Sequence, residues 1–135
     1  MNDSIFLDTN VIVYLYSEDE PKKQSTVLNL FKETRCVTST QVLNEFCSVC
    51  LRKFAMPANK VLQSIDEIVE NCALSYIDME VIQKALTLNN KYGYTYYDCL
   101  ILASAVISGC QILYSEDMQH NQFIEGKLKI VNPFL

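Results

Sequence analysis

The amino-acid sequence predicts an α/β fold in which a central, mainly parallel sheet of four or five strands is flanked by helices. Short apolar runs alternate along the chain with longer segments whose apolar residues recur every three or four positions, which is typical of strands connected by helices. The chain has 135 residues, half of them hydrophobic, and it contains no internal repeat or linker-like segment. We therefore expect residues 1–135 to form a single domain around one core.

Local patterns predict the first elements. Ser4–Leu7 is a short apolar run and predicts a buried strand, whereas Val11–Tyr16 fits a short helix. Pro21 suits the first turn of a second helix, which we expect to reach about Arg35. Cys36–Val37 then fits a brief strand.

The middle of the chain contains two further helices and a strand. Thr38 followed by Gln41 matches a capping box, which predicts a helix running to about Phe54. Pro57 opens the next helix, and Leu74–Ile77 is a candidate strand.

The last third starts with a helix over Met79–Tyr92, because Gly93 stands where a helix C-terminus favours glycine. Thr95 with Asp98 indicates another helix start. The helix that follows, Tyr96–Ser108, is apolar nearly all round, and we expect it at the centre of the core. The last predicted strands are Ile112–Tyr114 and Leu128–Val131.

Composition excludes several classes of protein. The formal charge is −5, from 11 basic and 16 acidic residues, which argues against a simple basic nucleic-acid binder. The longest apolar stretch, Cys99–Ile107, is far shorter than the roughly 20 residues of a membrane span, so we expect no membrane association. The first residues, Met1–Ser4, contain no basic segment followed by an apolar one. We therefore expect no signal peptide and a cytoplasmic protein.

The six cysteines are best interpreted as reduced, buried thiols. Cys47 and Cys50 form a CxxC motif, but it lies inside a helical pattern with both residues on one face. A zinc site needs about four ligands, and the chain has no second CxxC and a single histidine, His120. We favour core packing of this pair over metal or redox chemistry.

Four acidic residues occupy positions where a catalytic or metal-binding role is a reasonable interpretation. Asp8 and Asp117 each follow a predicted strand, Asp98 lies in the first turn of the most buried helix, and Glu45 lies at the edge of a helical apolar stripe. Each also has a structural interpretation: helix cap for Asp8 and Asp98, solvated edge residue for Glu45, turn residue for Asp117. A parallel sheet gathers its carboxyl ends into one cleft, so we expect several of these acids to meet.

These acids belong to segments that occur together in one known family. The segments are Phe6-Leu-Asp-Thr-Asn10-Val-Ile, Asn44-Glu45-Phe, Tyr97-Asp98-Cys-Leu-Ile-Leu-Ala103-Ser-Ala, Ile112-Leu-Tyr-Ser-Glu-Asp117 and Val131-Asn-Pro-Phe134. In order and spacing they resemble the PIN domain family, and most of all the small VapC-type toxins of bacterial toxin–antitoxin pairs. The resemblance covers essentially the whole chain and implies a PIN-like three-layer sandwich.

The resemblance also implies roles for single residues. Asp8, Glu45 and Asp98 match the three main metal-site acids of the family, and Asp117 matches a fourth, more variable acid. We expect these four to be both metal-binding and catalytic. The residues that match supporting positions are Thr9, Asn10, Ser115 and Glu116. For Glu116 two interpretations stay open, help in binding a second ion or plain solvation, and we favour solvation.

The chemistry of the four acids agrees with this interpretation. Clustered carboxylates repel one another and raise each other's pKa values, and a divalent cation relieves the repulsion. Oxygen ligands without cysteine or histidine select Mg²⁺ or Mn²⁺ over zinc, and we expect one or two ions. The expected reaction is hydrolysis of an RNA phosphodiester by a metal-activated water, leaving a 5′-phosphate and a 3′-hydroxyl. The four acids contribute −4 of the net charge of −5, so most of the excess negative charge lies at the expected metal site.

The resemblance further implies a homodimer, an RNA substrate and a cognate antitoxin protein as partners. The main alternative is a non-catalytic PIN-like module that binds RNA or protein without cutting. A phosphatase of the haloacid dehalogenase type also starts from an aspartate after a strand, but that pattern needs a second Asp two positions on, where this chain has Asn10.

Candidate substrate contacts are harder to identify from sequence. The candidate phosphate-binding residues are Lys22, Lys23, Arg52 and Lys53, and for each of them ordinary solvation is the favoured alternative. The candidate base-stacking residues are Tyr14, Tyr16, Tyr94 and Tyr96, for which we favour core or dimer packing.

Overall fold

The structure is a computed structural model that describes residues 4–135. Residues 1–3, where we expect no signal peptide, lie outside the described residues. The strands are β1 (Ser4–Leu7), β2 (Arg35–Ser39), β3 (Ala73–Ser75), β4 (Ile112–Tyr114), β5 (Phe123–Ile124) and β6 (Leu128–Val131). The helices are α1 (Thr9–Ile12), a 3-10 helix (Val13–Tyr16), α2 (Pro21–Glu33), α3 (Thr40–Arg52), α4 (Ala58–Asn71), α5 (Met79–Tyr92) and α6 (Tyr96–Ile107).

The described strands form a six-stranded sheet in the order β3-β2-β1-β4-β6-β5. All neighbouring pairs are parallel except β5 with β6. The predicted α/β fold, a mainly parallel sheet flanked by helices, is therefore confirmed. The chain passes from β1 outward to β2 and β3 and then returns to place β4 on the other side of β1. This reversal creates a topological switch point at the carboxyl ends of β1 and β4, where open α/β sheets bind their ligands.

The sheet differs from the sequence prediction in three places. β2 extends beyond Cys36–Val37 to Arg35–Ser39, and β3 is Ala73–Ser75 rather than Leu74–Ile77. The strand ends early because the amide of Ile77 donates to the hydroxyl of Thr40 at 3.1 Å instead of joining the sheet. β5 is an additional strand, and its two residues are too few to produce a recognisable alternation.

The start of α3 corrects one predicted cap and the start of α6 confirms another. Ser39, not Thr38, caps α3, since its hydroxyl oxygen accepts a hydrogen bond from the amide of Val42 at 3.2 Å. Thr38 is still part of β2 and donates its hydroxyl to the carbonyl of Leu7 at 3.4 Å. At α6, Thr95 accepts from the amide of Asp98 at 3.2 Å, as predicted.

The core is centred on α6, in which every residue from Cys99 to Ala105 is buried. This explains why that segment is apolar on all sides. In residues 4–135, no helix has the length and apolarity needed to cross a membrane. All six cysteines are free thiols, and four of them are buried. Cys50 of the CxxC motif lies in the core and Cys47 packs against it, away from the acids discussed below.

The Ser39 cap provides a test of the described start of α3. We expect Ser39→Ala to lower the free energy of unfolding by about 1 kcal/mol, because the buried amide of Val42 loses its partner. Urea unfolding measures the change. Thr87→Ala is the control: this exposed hydroxyl bonds only to the carbonyl of Gln83 in its own helix, so its loss should cost far less. Equal effects of the two substitutions would contradict the described cap.

Candidate active site

A cleft of about 700 Å³ opens at the switch point of the sheet. Its walls come from the segment that follows β1, from one face of α3, from the start of α6 and from the loop after β4. The acidic residues that line it are Asp8, Asp19, Glu20, Glu45, Asp98, Glu116 and Asp117. The structure therefore brings all four predicted metal-site acids to one cleft, which is the arrangement expected from parallel strands that end at the same edge.

Asp8 joins the ends of the two central strands. Its amide donates to the carbonyl of Tyr114 at 3.0 Å, which ties β1 to β4. Its carboxylate is buried and accepts hydrogen bonds from the amide of Thr9 at 2.7 Å, from Nδ2 of Asn10 at 3.3 Å and from Oγ of Ser115 at 2.8 Å. Asp8 also caps α1, so the structural interpretation of this residue holds beside the chemical one.

Burial dominates the electrostatics of Asp8. Removal from water raises the pKa of its carboxyl group to about 7, although the hydrogen bonds from Ser115 and Thr9 lower it. The nearby charges of Glu45 and Asp98 also raise the pKa of Asp8, and the value of about 7 includes their effect. A carboxylate this strongly destabilised, with acidic neighbours, is a favourable place for a cation.

Glu45 reaches the cleft from α3. Its carboxylate accepts hydrogen bonds from the hydroxyl of Thr9 at 3.1 Å and from Nε2 of Gln41 at 2.9 Å. Gln41 lies one helical turn before Glu45 on the same face and is buried. Glu45 is therefore half-buried and oriented, not a freely solvated edge residue.

Asp98 and Asp117 complete the acidic wall. Asp98 is half-buried, and burial raises the pKa of its carboxyl group, with further contributions from the charges of Glu45 and Asp117. Asp117 is exposed at the rim, in the loop after β4. The charge of Glu45 thus acts on both Asp8 and Asp98, and the charge of Asp117 acts on Asp98.

Two of the predicted supporting residues, Asn10 and Ser115, connect Asp8 to the loop after β4. The side-chain oxygen of Asn10 accepts from the amide of Glu116 at 2.9 Å while its amide group donates to Asp8. Ser115 is fully buried, donates to Asp8 and accepts from the amide of Met118 at 3.3 Å. Together with Thr9, which bridges Asp8 and Glu45, they hold the carboxylates in place rather than react themselves.

Glu116 departs from the favoured interpretation of a solvated residue. Its carboxylate forms an ion pair with Lys23 at 2.6 Å and accepts from the hydroxyl of Tyr14 at 2.7 Å. Partial burial favours a higher pKa for Glu116, but these two partners outweigh it and lower the pKa. Lys23 also lies over the rings of Tyr14 and Phe134. The charge of Glu116 is therefore already neutralised by Lys23. The charge of Lys23 is in turn used in this ion pair.

The donor chemistry of the four acids fits Mg²⁺ or Mn²⁺, since all their donors are carboxylate oxygens. Within residues 4–135, however, no three acidic, histidine or cysteine side chains converge closely enough to hold one ion. Mutual repulsion favours this spread, and Thr9 and Gln41 hold Glu45 in its present position. The four acids line one cleft, but they do not form a preassembled set of ligands for an ion.

Most of the tyrosines considered for base stacking have other partners. Tyr14 bonds to Glu116, the Tyr16 ring packs edge-on against Phe46, and the Tyr94 hydroxyl donates to Gln122. Tyr96 packs against its neighbour Tyr97. Of the four, Tyr14 lines the cleft, and its hydroxyl is already bonded to Glu116.

Sequence reasoning missed the positioning role of three residues, Gln41, Lys23 and Tyr14, of which the last two were considered only as substrate contacts. The four-residue spacing of Gln41 and Glu45 on one helix was a usable signal for their contact. The contacts of Lys23 and Tyr14 with Glu116 join positions 93 and 102 residues apart, and nothing in the local sequence indicates them.

The chain matches one family model and shares its fold with several solved structures. The PIN domain model matches residues 5–124. A search of curated proteins finds no match. Among solved structures, the fold is similar to VapC20 of Mycobacterium tuberculosis, a toxin described as cleaving the sarcin–ricin loop, with a TM-score of 0.69 and 18% identity over 84% of this chain and 89% of that one.

Two toxin–antitoxin structures match over almost their full length. A toxin–antitoxin complex from Klebsiella pneumoniae has a TM-score of 0.71 and 18% identity, covering 96% of this chain and 97% of that one. DNA-bound VapBC from Salmonella typhimurium has a TM-score of 0.70 and 15% identity, covering 96% of this chain and 98% of that one. At these identities the likeness establishes the fold.

The raised pKa of Asp8 makes a prediction about pH. In chelator, native Asp8 keeps its proton up to about pH 7, whereas the unfolded chain loses it near pH 4. The native state therefore binds more protons in that window, and raising the pH favours unfolding by at most about 1.4 kcal/mol per pH unit. We expect the free energy of unfolding of Asp8→Asn, relative to wild type, to rise from pH 4 to pH 7 and then level off.

Urea unfolding at several pH values measures this difference. Any packing cost of the new amide is independent of pH, so the slope isolates the carboxyl group. Asp66→Asn, an exposed site on α4, is the charge-matched control. Parallel profiles of wild type and Asp8→Asn across the window would mean that Asp8 is not a destabilised carboxylate.

Proposed function

This chain belongs to the PIN domain family, and on that premise we propose that it is a metal-dependent endoribonuclease, the toxin of a type II toxin–antitoxin pair. One observation carries the proposal. The four acids that match the family's metal-site positions line one cleft at the switch point of the sheet, and one of them is a buried carboxylate with a strongly raised pKa. A purely structural role does not require that arrangement, because a buried acid with acidic neighbours destabilises the fold.

The residues that would hold the cation are Asp8, Glu45, Asp98 and Asp117. When bound, Mg²⁺ or Mn²⁺ neutralises these carboxylates, stabilises negative charge on a phosphodiester and lowers the pKa of a water molecule. One or two ions are compatible with four acids. Glu116 is a poor candidate for a second ion as long as Lys23 occupies its carboxylate.

The chain's own residues supply orientation. Ser115, Asn10 and the amide of Thr9 fix the Asp8 carboxylate, and Thr9 with Gln41 fixes that of Glu45. In the proposed reaction the oxygen of water forms a bond to phosphorus and the bond from phosphorus to the 3′ oxygen breaks. The 3′ oxygen leaves as a hydroxyl group, and the other fragment keeps a 5′-phosphate. No side chain acts as nucleophile, in keeping with the buried position of Ser115.

RNA is the proposed substrate and an antitoxin protein the proposed partner. Support comes from the fold, which is shared with a toxin described as cleaving the sarcin–ricin loop and with several toxin–antitoxin complexes. A homodimer and a cytoplasmic location stay predictions. The four acids that match the family's metal-site positions all line the cleft, and this favours cleavage over the non-catalytic alternative.

The first test is metal-dependent stability. We expect Mg²⁺ or Mn²⁺ at millimolar concentration to raise the melting temperature relative to chelator, because a cation that binds only the native state stabilises it; about 2.7 kcal/mol is expected at 100-fold excess over Kd. Asp8→Asn should lose most of this shift. NaCl at matched ionic strength is the control for screening. Equal shifts in wild type and Asp8→Asn would contradict a metal site at these acids.

The second test separates the two roles of Asp98. We expect Asp98→Asn to abolish RNA cleavage while leaving the free energy of unfolding within about 1 kcal/mol of wild type. Asp78→Asn is the matched control: Asp78 caps α5 outside the cleft, and Asn is an equally good cap, so cleavage and stability should stay at wild-type values. If Asp98→Asn still cleaves, Asp98 acts only at the helix start.

A further inference from the structure

The end of the cleft away from Asp8 has a different chemical character. It is lined by Ser48, Val49, Arg52, Lys53 and Phe54, at the C-terminal end of α3 and just beyond it. Arg52 and Lys53 are the basic residues among the described residues that line the cleft. The C-terminal part of α3 thus brings basic and aromatic side chains to a cleft that is otherwise mainly acidic.

α3 connects these side chains to Glu45 geometrically. Ser48, Val49 and Arg52 follow Glu45 by three, four and seven positions, so all four share one helix face. With about 1.5 Å of rise per residue, Arg52 lies about 10 Å along the helix axis from Glu45. A ligand that extends along this face from the acids reaches Arg52.

The Arg52 side chain is held by one hydrogen bond and is exposed to a ligand in the cleft. Its Nε donates to the hydroxyl of Ser48 at 3.0 Å, which orients the guanidinium group along the cleft face. Both Arg52 and Lys53 are exposed, and neither takes part in the ion pairs found within residues 4–135. Lys23, by contrast, is paired with Glu116. The charges open to an anionic ligand therefore lie at the far end of the cleft.

Phe54 adds an accessible aromatic surface. It lines the cleft with 38% of its surface exposed, and its amide still bonds to the carbonyl of Val49, so it is held to the end of α3. An aromatic face beside phosphate-binding cations is the arrangement that stacks unpaired nucleic-acid bases. The bases of a duplex are stacked on one another and are not available for this contact.

Resting on the proposed ribonuclease function, we propose that the C-terminal end of α3 is a binding subsite for a single-stranded stretch of RNA. Arg52 and Lys53 bind a phosphate next to the one that is cleaved, and Phe54 stacks on an unpaired base. The subsite places the substrate strand along α3 and restricts cleavage to unpaired regions such as loops.

Binding to cleavage-deficient Asp98→Asn tests the subsite directly. The probes are a short fluorescent single-stranded RNA and the same strand in a duplex, titrated in Mg²⁺ and followed by anisotropy. We expect tighter binding of the single strand. Adding Arg52→Ala and Lys53→Ala should weaken binding at least tenfold and reduce the magnitude of the slope of log K against log salt by about 0.7, since each phosphate neutralised on a single strand contributes about 0.7. Adding Phe54→Ala should weaken it about tenfold without changing the slope.

Matched substitutions outside the cleft serve as controls. Lys60→Ala with Lys127→Ala removes the same charge from exposed positions, and Phe123→Ala removes an exposed phenylalanine from β5. Equal weakening by the control pair and the Arg52 and Lys53 pair would overturn the subsite, because it would indicate only long-range attraction. Failure of the single strand to bind, or equal binding of the duplex, would also overturn it.

Cleavage by protein with Asp98 intact distinguishes the subsite from the proposed function. We expect the Arg52→Ala and Lys53→Ala pair to raise KM at least tenfold with a smaller effect on kcat. Cleavage with unchanged KM and kcat would overturn the subsite and leave the ribonuclease standing. Absence of cleavage by wild type, together with binding that depends on Arg52, Lys53 and Phe54, would support the RNA-binding surface and overturn the nuclease.

Discussion

The burial of one carboxylate, that of Asp8, is the constraint around which the rest of the structure is arranged. A buried carboxylate is costly unless hydrogen bonds and charge compensate for it. Three donors, from Thr9, Asn10 and Ser115, converge on it from two chain segments more than 100 residues apart. That convergence requires β1 and β4 to lie side by side, and the bond between the Asp8 amide and Tyr114 joins them at this residue. The strand order of the sheet and the position of the acidic site therefore both meet the same requirement, the compensation of the buried Asp8 carboxylate.

The same constraint accounts for the distribution of charged side chains in the cleft. Acids collect where the central strands end, and the protein compensates one of them internally by pairing Glu116 with Lys23. The remaining acids repel one another and favour a cation. One face of α3 carries Glu45 of this cluster and, two helical turns further on, Arg52, so a single helix contributes both an acid and a basic side chain to the cleft. This arrangement suits the proposed RNA substrate, with the proposed cation among the acids and the proposed phosphate-binding side chains at the end of α3.

Local sequence was sufficient for most of the fold and for the identity of the acids. The strands that became β1 and β4 and the central helix α6 have strong patterns, and the parallel pairing of β1 with β4 places Asp8 and Asp117 at the same edge of the sheet. The cap of α3 was misplaced by one residue because Thr38 and Ser39 are both good caps, and only the length of β2 decides between them. β5 was missed because its hairpin depends on a turn with positive φ at Glu125 and Gly126 and on the ion pairs of Glu125 with Lys84 and Lys91. The role of Glu116 was misjudged for a similar reason, since its partner Lys23 lies on α2, far away in the chain.

The most direct measurement of the central claim is the end chemistry of RNA fragments from a pool of structured cellular RNAs. Wild type and Asp8→Asn are each incubated with the pool, in Mn²⁺ and in chelator. The new 5′ ends are then sequenced by a method that separates ends with a phosphate from ends with a hydroxyl group. The account predicts discrete new ends with 5′-phosphate, in unpaired regions, only for wild type in Mn²⁺. Cleavage by Asp8→Asn or in chelator, or fragments ending in 2′,3′-cyclic phosphate, would contradict hydrolysis by a metal-activated water at this acidic cleft.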